Sequence, residues 1–129
     1  MINASGTISE SMTAFPHTIG KEQTLEKAED MMRDLNIRHL PVLHAGKLVG
    51  VITQRDLLLV KAYTGQQWGT QKASEALIED AFTCAPTDKV KDVCRTMGER
   101  KIGCALVVEA ENLVGIFTWV DALRFISKL

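Results

Sequence analysis

Aromatic residues are scarce: four Phe, two Trp and one Tyr in 129 residues. That is too few for the stacking platform on which proteins bind single-stranded nucleic acid. An excess of one charge is missing too. Lysine and arginine number 15, aspartate and glutamate 16, a formal net charge of −1. With the two signs interspersed, no nucleic-acid partner is expected. No apolar run approaches the roughly 20 residues of a membrane span, so no membrane partner is expected either. The first residues, Met1 to Gly6, have neither a basic n-region nor a hydrophobic h-region, and no signal peptide is read there. The cysteines, at 84, 94 and 104, are odd in number, and no two have the close spacing typical of zinc ligation. They read as small buried thiols in a reducing cytoplasm, which places the protein as soluble and cytoplasmic.

What is present is a core and a repeat. Apolar residues make up 46% of the chain and charged residues 24%, enough for a buried interior with a solvated outside. A shift of 65 residues aligns the two halves without a gap. Ser9-Glu10 meets Ser74-Glu75, Thr18 meets Thr83, Met32 meets Met97 and Ile37 meets Ile102. Leu48-Val49-Gly50 meets Leu113-Val114-Gly115, Thr53 meets Thr118 and Asp56 meets Asp121. Unmatched positions stay apolar in both halves, as at Leu25 and Val90 or Val51 and Ile116. The chain is a tandem duplication.

Each half reads as βαββα. A short extended stretch around Thr18-Ile19, or Thr83-Cys84, leads into an amphipathic helix. Leu25, Ala28, Met32 and Leu35, with Met31 alongside, form one buried face; Val90, Val93, Cys94 and Met97 form the other. Thr24 or Gln23, and Asp88, are the N-cap candidates. Two hairpins follow, turning at Ala45-Gly46-Lys47 and at Glu111-Asn112. A second helix starts near Arg55 and near Val120, the latter with Leu123 and Ile126, and Ala122 and Phe125 as further candidates, on its buried side. The expected organisation is a first repeat at 1–62, a linker at 63–72 and a second repeat at 73–129. The fold class is α+β with pseudo-twofold symmetry, and a junction of two such small halves is where small-molecule clefts tend to form.

One string occurs twice in register: Gly50-Val51-Ile52-Thr53-Gln54-Arg55-Asp56 and Gly115-Ile116-Phe117-Thr118-Trp119-Val120-Asp121. Thr followed three residues later by a carboxylate at a helix start is a capping-box pattern. The same chemistry suits a nucleotide. Helix N-terminal amides and a Thr hydroxyl can hold a phosphate, and an ionised Asp can accept both hydroxyls of a ribose. A glycine within a strand marks close approach of a backbone or a ligand. Both readings stand, since capping in the empty state does not exclude binding.

With the βαββα repeat, the Arg38-His39-Leu40-Pro41-Val42 segment and the two Gly-h-h-Thr-x-x-Asp strings, the chain resembles a cystathionine-β-synthase (CBS) domain pair, or Bateman module, from Thr7 to Phe125. The resemblance implies a regulatory module that senses an adenine nucleotide (AMP, ADP, ATP or a related adenosyl ligand) in the cleft between the repeats. It also implies a homodimer. By resemblance Asp56 and Asp121 take ribose hydroxyls, and Thr53 and Thr118 contact phosphate or ribose. Thr18-Ile19 and Thr83-Cys84 flank adenine; Ile37-Arg38-His39 and Ile102-Gly103-Cys104 line base and phosphate. The halves differ here, because Arg38, His39 and Arg55 are matched by Gly103, Cys104 and Val120. Arg is a natural phosphate partner, so the two pockets are expected to be unequal.

Other chemistry is not readable. His17, His39 and His44 fall on different elements without helical pairing, so no metal site is expected. No Ser-His-Asp or Cys-His arrangement emerges, and Cys84 lies beside no obvious base, so the protein is read as a non-enzyme requiring no cofactor. Two function classes remain: a nucleotide sensor that acts in trans on an unknown protein target, and a structural dimerisation module with degenerate nucleotide sites.

Overall fold

A computed structural model of the chain describes residues 6–129; Met1–Ser5, where no signal peptide was read, lie outside the described residues. The elements run α1 (Ile8–Ser11), β1 (Thr13–Ala14), β2 (Ile19–Gly20), α2 (Leu25–Leu35), β3 (His39–His44), β4 (Lys47–Thr53) and α3 (Gln54–Thr64). Then follow β5 (Thr83–Cys84), α4 (Val90–Arg100), β6 (Cys104–Glu109), β7 (Asn112–Thr118) and α5 (Trp119–Ser127). The βαββα order holds in both halves.

The chain packs as two compact units. One is the continuous stretch His17–Ala81; the other joins residues 6–16 to Phe82–Leu129. These cuts differ from the repeat boundaries at 1–62 and 73–129, because a repeat is a unit of sequence and a compact unit is one of packing.

In the His17–Ala81 unit, β2 runs parallel to β3 with Ile19 opposite Val42, and β3 forms a hairpin with β4. Leu25, Ala28 and Met32 of α2 seal the sheet together with Leu40, Val42, Ile52 and Leu57. Thr24 is the N-cap of α2, its hydroxyl accepting the Lys27 amide at 3.2 Å. Leu35, placed on the buried face by periodicity, is 39% exposed; it lies at the last turn, next to the left-handed cap at Asn36 (φ 53°). The 63–72 stretch, expected as a linker, is folded onto this unit. The chain from Gly65 to Thr70 forms a 3₁₀ turn whose Trp68 packs on the core, with Lys61 Nζ 4.3 Å from the ring centroid.

The second unit repeats the plan. β5 pairs in parallel with β6, β6 pairs with β7, and Val90, Val93 and Met97 of α4 pack with Ala105, Val107 and Phe117. Two expectations fail here. Lys89, not Asp88, is the N-cap of α4, and the Asp88 carboxylate instead accepts the Ala85 amide at 2.8 Å. On α5, Leu123 and Ile126 are 53% and 58% exposed, while Ala122 and Phe125 pack against the core. The capping box draws Asp121 inward, and the face one and four residues further on follows it (see below).

The leading segment of each repeat is built into the unit formed by the other repeat. Ile8, in α1, is fully buried in the second unit, and its equivalent Ala73 is fully buried in the first. The Val90 amide donates to the Gly6 carbonyl at 3.0 Å, and the Leu25 amide to the Gln71 carbonyl at 2.8 Å. The bridge pairs Thr7–Lys89 and Lys72–Thr24 match in the same way, as do Thr13–Ile116 and Ile78–Val51. The 65-residue shift thus maps one set of exchanged contacts onto the other.

Both hairpins turn through two residues of positive φ: Ala45 (51°) and Gly46 (79°), and Ala110 (50°) and Glu111 (67°). This primed geometry fits the right-handed twist of the strands but suits Gly and Asn. Gly46 meets the requirement; its equivalent Glu111 does so against the Cβ penalty of a left-handed residue. Glu111→Gly is therefore expected to stabilise the protein by about 0.5–1 kcal/mol after the added unfolded-state entropy is counted. A thermal melt should read this as a rise of a few degrees; an unchanged or lower midpoint would refute the strain.

Candidate functional site

In each unit the Thr-x-x-Asp string spans the end of a strand and the first turn of a helix. Thr53 caps α3: its hydroxyl accepts the Asp56 amide at 3.2 Å, and Asp56 Oδ2 accepts the Thr53 amide at 2.9 Å and hydroxyl at 2.7 Å. Thr118 and Asp121 do the same on α5, with Oδ2 accepting the Thr118 amide at 2.9 Å and hydroxyl at 3.2 Å. The capping-box reading is therefore correct in both halves. It leaves one carboxylate oxygen, Oδ1, outside each box. Asp56 is half-buried, whereas Asp121 is 4% exposed, with its Oδ1 accepting the Thr13 hydroxyl at 3.2 Å.

Several of the sequence-read residues meet at the same end of each sheet. His39 lies opposite Thr53 across the β3–β4 ladder, and the Gln54 amide donates to the Arg38 carbonyl at 2.9 Å. Cys104 lies opposite Thr118, with the Trp119 amide on the Gly103 carbonyl at 3.1 Å. The segments starting at Ile37 and Ile102 are therefore tied to the helix starts bearing Asp56 and Asp121. Thr18 precedes β2 at this end of its sheet and is half-buried; Ile19 turns into the core. In the second unit Thr83 is exposed and Cys84 half-buried, both within β5. Arg38 and Arg55 are exposed and form no ion pair among the described residues.

Two cavities accompany these residues. One of about 310 Å³ lies between α2 and α3, lined by Arg33, Ile37, Arg38, Gln54 and Leu57 among others, and does not reach Thr53 or Asp56. The other, about 260 Å³, is lined by Thr83, Cys84, Asp88 and Asp92 among others. The first carries two arginines and Glu29, the second two carboxylates.

Charge at the site is less cationic than the sequence suggests. Burial, and then the Arg38 guanidinium, lower the pKa of His39, outweighing the pull of Asp56, so its imidazole is neutral near pH 7. Burial pushes the Cys84 and Cys104 thiols up to about 12, and neither is a ready nucleophile. Both should resist iodoacetamide at pH 8, reacting at least about a hundredfold more slowly than a free thiol of pKa about 8.5. Mass spectrometry of the folded and denatured protein checks this, and rapid native labelling would contradict it.

Of the two approaches a strand glycine can mark, that of a backbone or that of a ligand, the structure shows contact from within the chain. A Cβ on Gly50 would stand 2.5 Å from the Ile78 carbonyl oxygen, and one on Gly115 would meet the Met12 side chain. What comes close is the exchanged leading segment of the other repeat. Sequence reasoning also missed Thr13, whose only signal is that its equivalent, Ile78, lacks a hydroxyl. Among the described residues no three His, Cys, Asp or Glu side chains converge on a point, and no helix is long and apolar enough to cross a membrane.

Comparison with known proteins agrees with this architecture. The family model of the CBS domain matches the chain twice, over residues 6–63 and 73–128. The CBS domain-containing protein YhcV of Bacillus subtilis is 28% identical over 115 residues, 89% of this chain and 81% of that protein. Among solved structures, that of AcuB of Vibrio cholerae, assigned to acetoin utilization, superimposes with a TM-score of 0.87 at 33% identity, covering 95% of this chain and 90% of that one. The CBS domain pair of protein MJ0100, in complex with 5′-methylthioadenosine and S-adenosyl-L-methionine, gives 0.83 at 26%, covering 95% and 96%. This chain belongs to the CBS domain family and carries two copies of the domain in tandem.

Proposed function

We propose that the protein is a regulatory module, not an enzyme, that binds an adenosyl ligand at its Thr-x-x-Asp helix starts and acts in trans on a partner protein. The observation that carries this reading is the geometry of Asp56. Its box to Thr53 fixes the carboxylate at a helix N-terminus through Oδ2 and leaves Oδ1 free to accept from a ribose. The helix-start amides and the exposed Arg38 and Arg55 supply what a phosphate needs, a positive end and planar donors. The ligands held by the MJ0100 domain pair, both adenosyl compounds, support the same class. AMP, ADP, ATP and S-adenosylmethionine are the candidates, and the adenosyl group is the shared recognition element.

Titration calorimetry with each of the four tests this. At least one should bind, and Asp56→Ala should weaken it at least tenfold, the loss of two charge-assisted hydrogen bonds. Absence of binding by all four at millimolar concentration would favour a second reading, a structural dimerisation module. One observation favours that reading: Leu58, Leu59 and Tyr63 on α3 are 60%, 61% and 93% exposed, as Leu123 and Ile126 are on α5. A homodimer is compatible with either function, and sedimentation with and without ligand would relate assembly to binding.

A further inference from the structure

Thr13 and Ile78 occupy equivalent positions in the two exchanged segments, Thr13 opposite Ile116 and Ile78 opposite Val51. One carries a hydroxyl and the other hydrocarbon, and the difference falls on the carboxylates. Asp121 Oδ2 is filled by the Thr118 amide and hydroxyl, and its Oδ1 accepts from Thr13 at 3.2 Å with Arg124 Nη1 at 3.7 Å. An ionised carboxylate offers about four lone-pair positions. Three of those on Asp121 are used, a guanidinium faces the oxygen with the fourth, and the side chain is 5% exposed. Asp56 Oδ2 is filled in the same way by Thr53, but its Oδ1 has no hydrogen-bond partner among the described residues. A ribose diol needs two acceptor positions, and of the two carboxylates Asp56 alone keeps two on one oxygen, in a side chain that is only half-buried.

We infer that Thr13 is a lock on the second carboxylate, so that the chain takes one adenosyl ligand, at Asp56, with the N-terminal segment setting that stoichiometry. This inference rests on the adenosyl-ligand reading above. Charge runs in the same direction. A phosphate beside Asp56 would find Arg38 and Arg55, whereas the equivalent positions are Gly103 and Val120, and the cavity beside Thr83 and Cys84 is edged by Asp88 and Asp92. The second box is then a structural joint that ties residues 6–16 to α5, and binding there requires the joint to open.

The test is calorimetry of the full chain with AMP and, separately, S-adenosylmethionine. Wild type should bind one equivalent, and at least tenfold less tightly when 2′-deoxy-AMP replaces AMP. Asp56→Asn should weaken binding at least tenfold, far more than Asp121→Asn does. Thr13→Val, which keeps the shape and removes the donor, should admit a second equivalent, while Thr13→Ser keeps one. Two equal equivalents in wild type, a larger loss from Asp121→Asn, or a single equivalent in folded Thr13→Val would each overturn the lock. Should Thr13→Val fail to fold, the Asp56→Asn and Asp121→Asn pair still decides which carboxylate binds. No heat from AMP, S-adenosylmethionine, ADP or ATP at millimolar concentration, in wild type and Thr13→Val alike, would instead remove the adenosyl reading and this inference with it.

Discussion

Gly50→Ala should cost the protein about 3 kcal/mol, whereas the same change at the equivalent Gly115 should cost less than about 1 kcal/mol. The added Cβ at position 50 would lie 2.5 Å from the Ile78 carbonyl oxygen and 2.7 Å from Leu77 Cδ1. That carbonyl accepts the Val51 amide at 3.2 Å, and the Ile78 amide donates to the Val51 carbonyl at 2.8 Å. The backbone can make room only by giving up both bonds, each worth about 1 kcal/mol net. Overpacking adds about 1–3 kcal/mol, and the restricted unfolded chain returns about 0.5–1 kcal/mol. At position 115 the obstacle is the Met12 side chain alone: its Sδ is the nearest atom to the new Cβ and overlaps it, with Cε and Cγ 3.1 Å away, and no backbone atom is among the three nearest. A methionine has three rotatable bonds with which to yield. Urea unfolding of the two variants side by side measures the contrast, and equal midpoints would contradict it.

Asp121→Ala is expected to destabilise the fold by about 3 kcal/mol and Asp56→Ala by about 1 kcal/mol, although the two carboxylates hold the same place in the repeat. Both lose a capping box. Removal of Asp121, which is almost fully buried, also opens a space where the carboxylate stood, takes the acceptor from the Thr118 amide and breaks the Thr13 bond that ties the exchanged segment to α5. At Asp56 the surroundings are half open and water can replace the lost acceptor. Chemical denaturation gives the two values. Similar losses would mean that the Thr13 contact contributes little in solution.

The repeat made most of the architecture legible from the sequence, because a shift of 65 residues preserves both hydrophobic period and turn position. The buried stripes of α2 and α4 were readable for the same reason: Leu25, Ala28 and Met32, like Val90, Val93 and Met97, present a single apolar face. On α5 the residues offer two apolar stripes, and periodicity cannot choose between them. The choice was made by Asp121, whose box and bond to Thr13 turn one stripe inward and leave Leu123 and Ile126 outside. The candidate site was legible where it is local, in the Thr-x-x-Asp strings. It was illegible where it depends on contacts between distant parts of the chain. The glycines of those strings face Ile78 and Met12, and the second carboxylate is occupied by a residue 108 positions away. No local pattern encodes such partners.

The exchange of leading segments has a consequence for how the protein is made. Residues 17–81 are complete as soon as they leave the ribosome, and their unit can fold while the rest is still being synthesised. The unit holding residues 6–16 cannot, since those residues must wait for α5 before Thr13 finds Asp121. Residues 6–16 thus emerge before the 17–81 unit and are ordered after it, and closing so long a loop is slow.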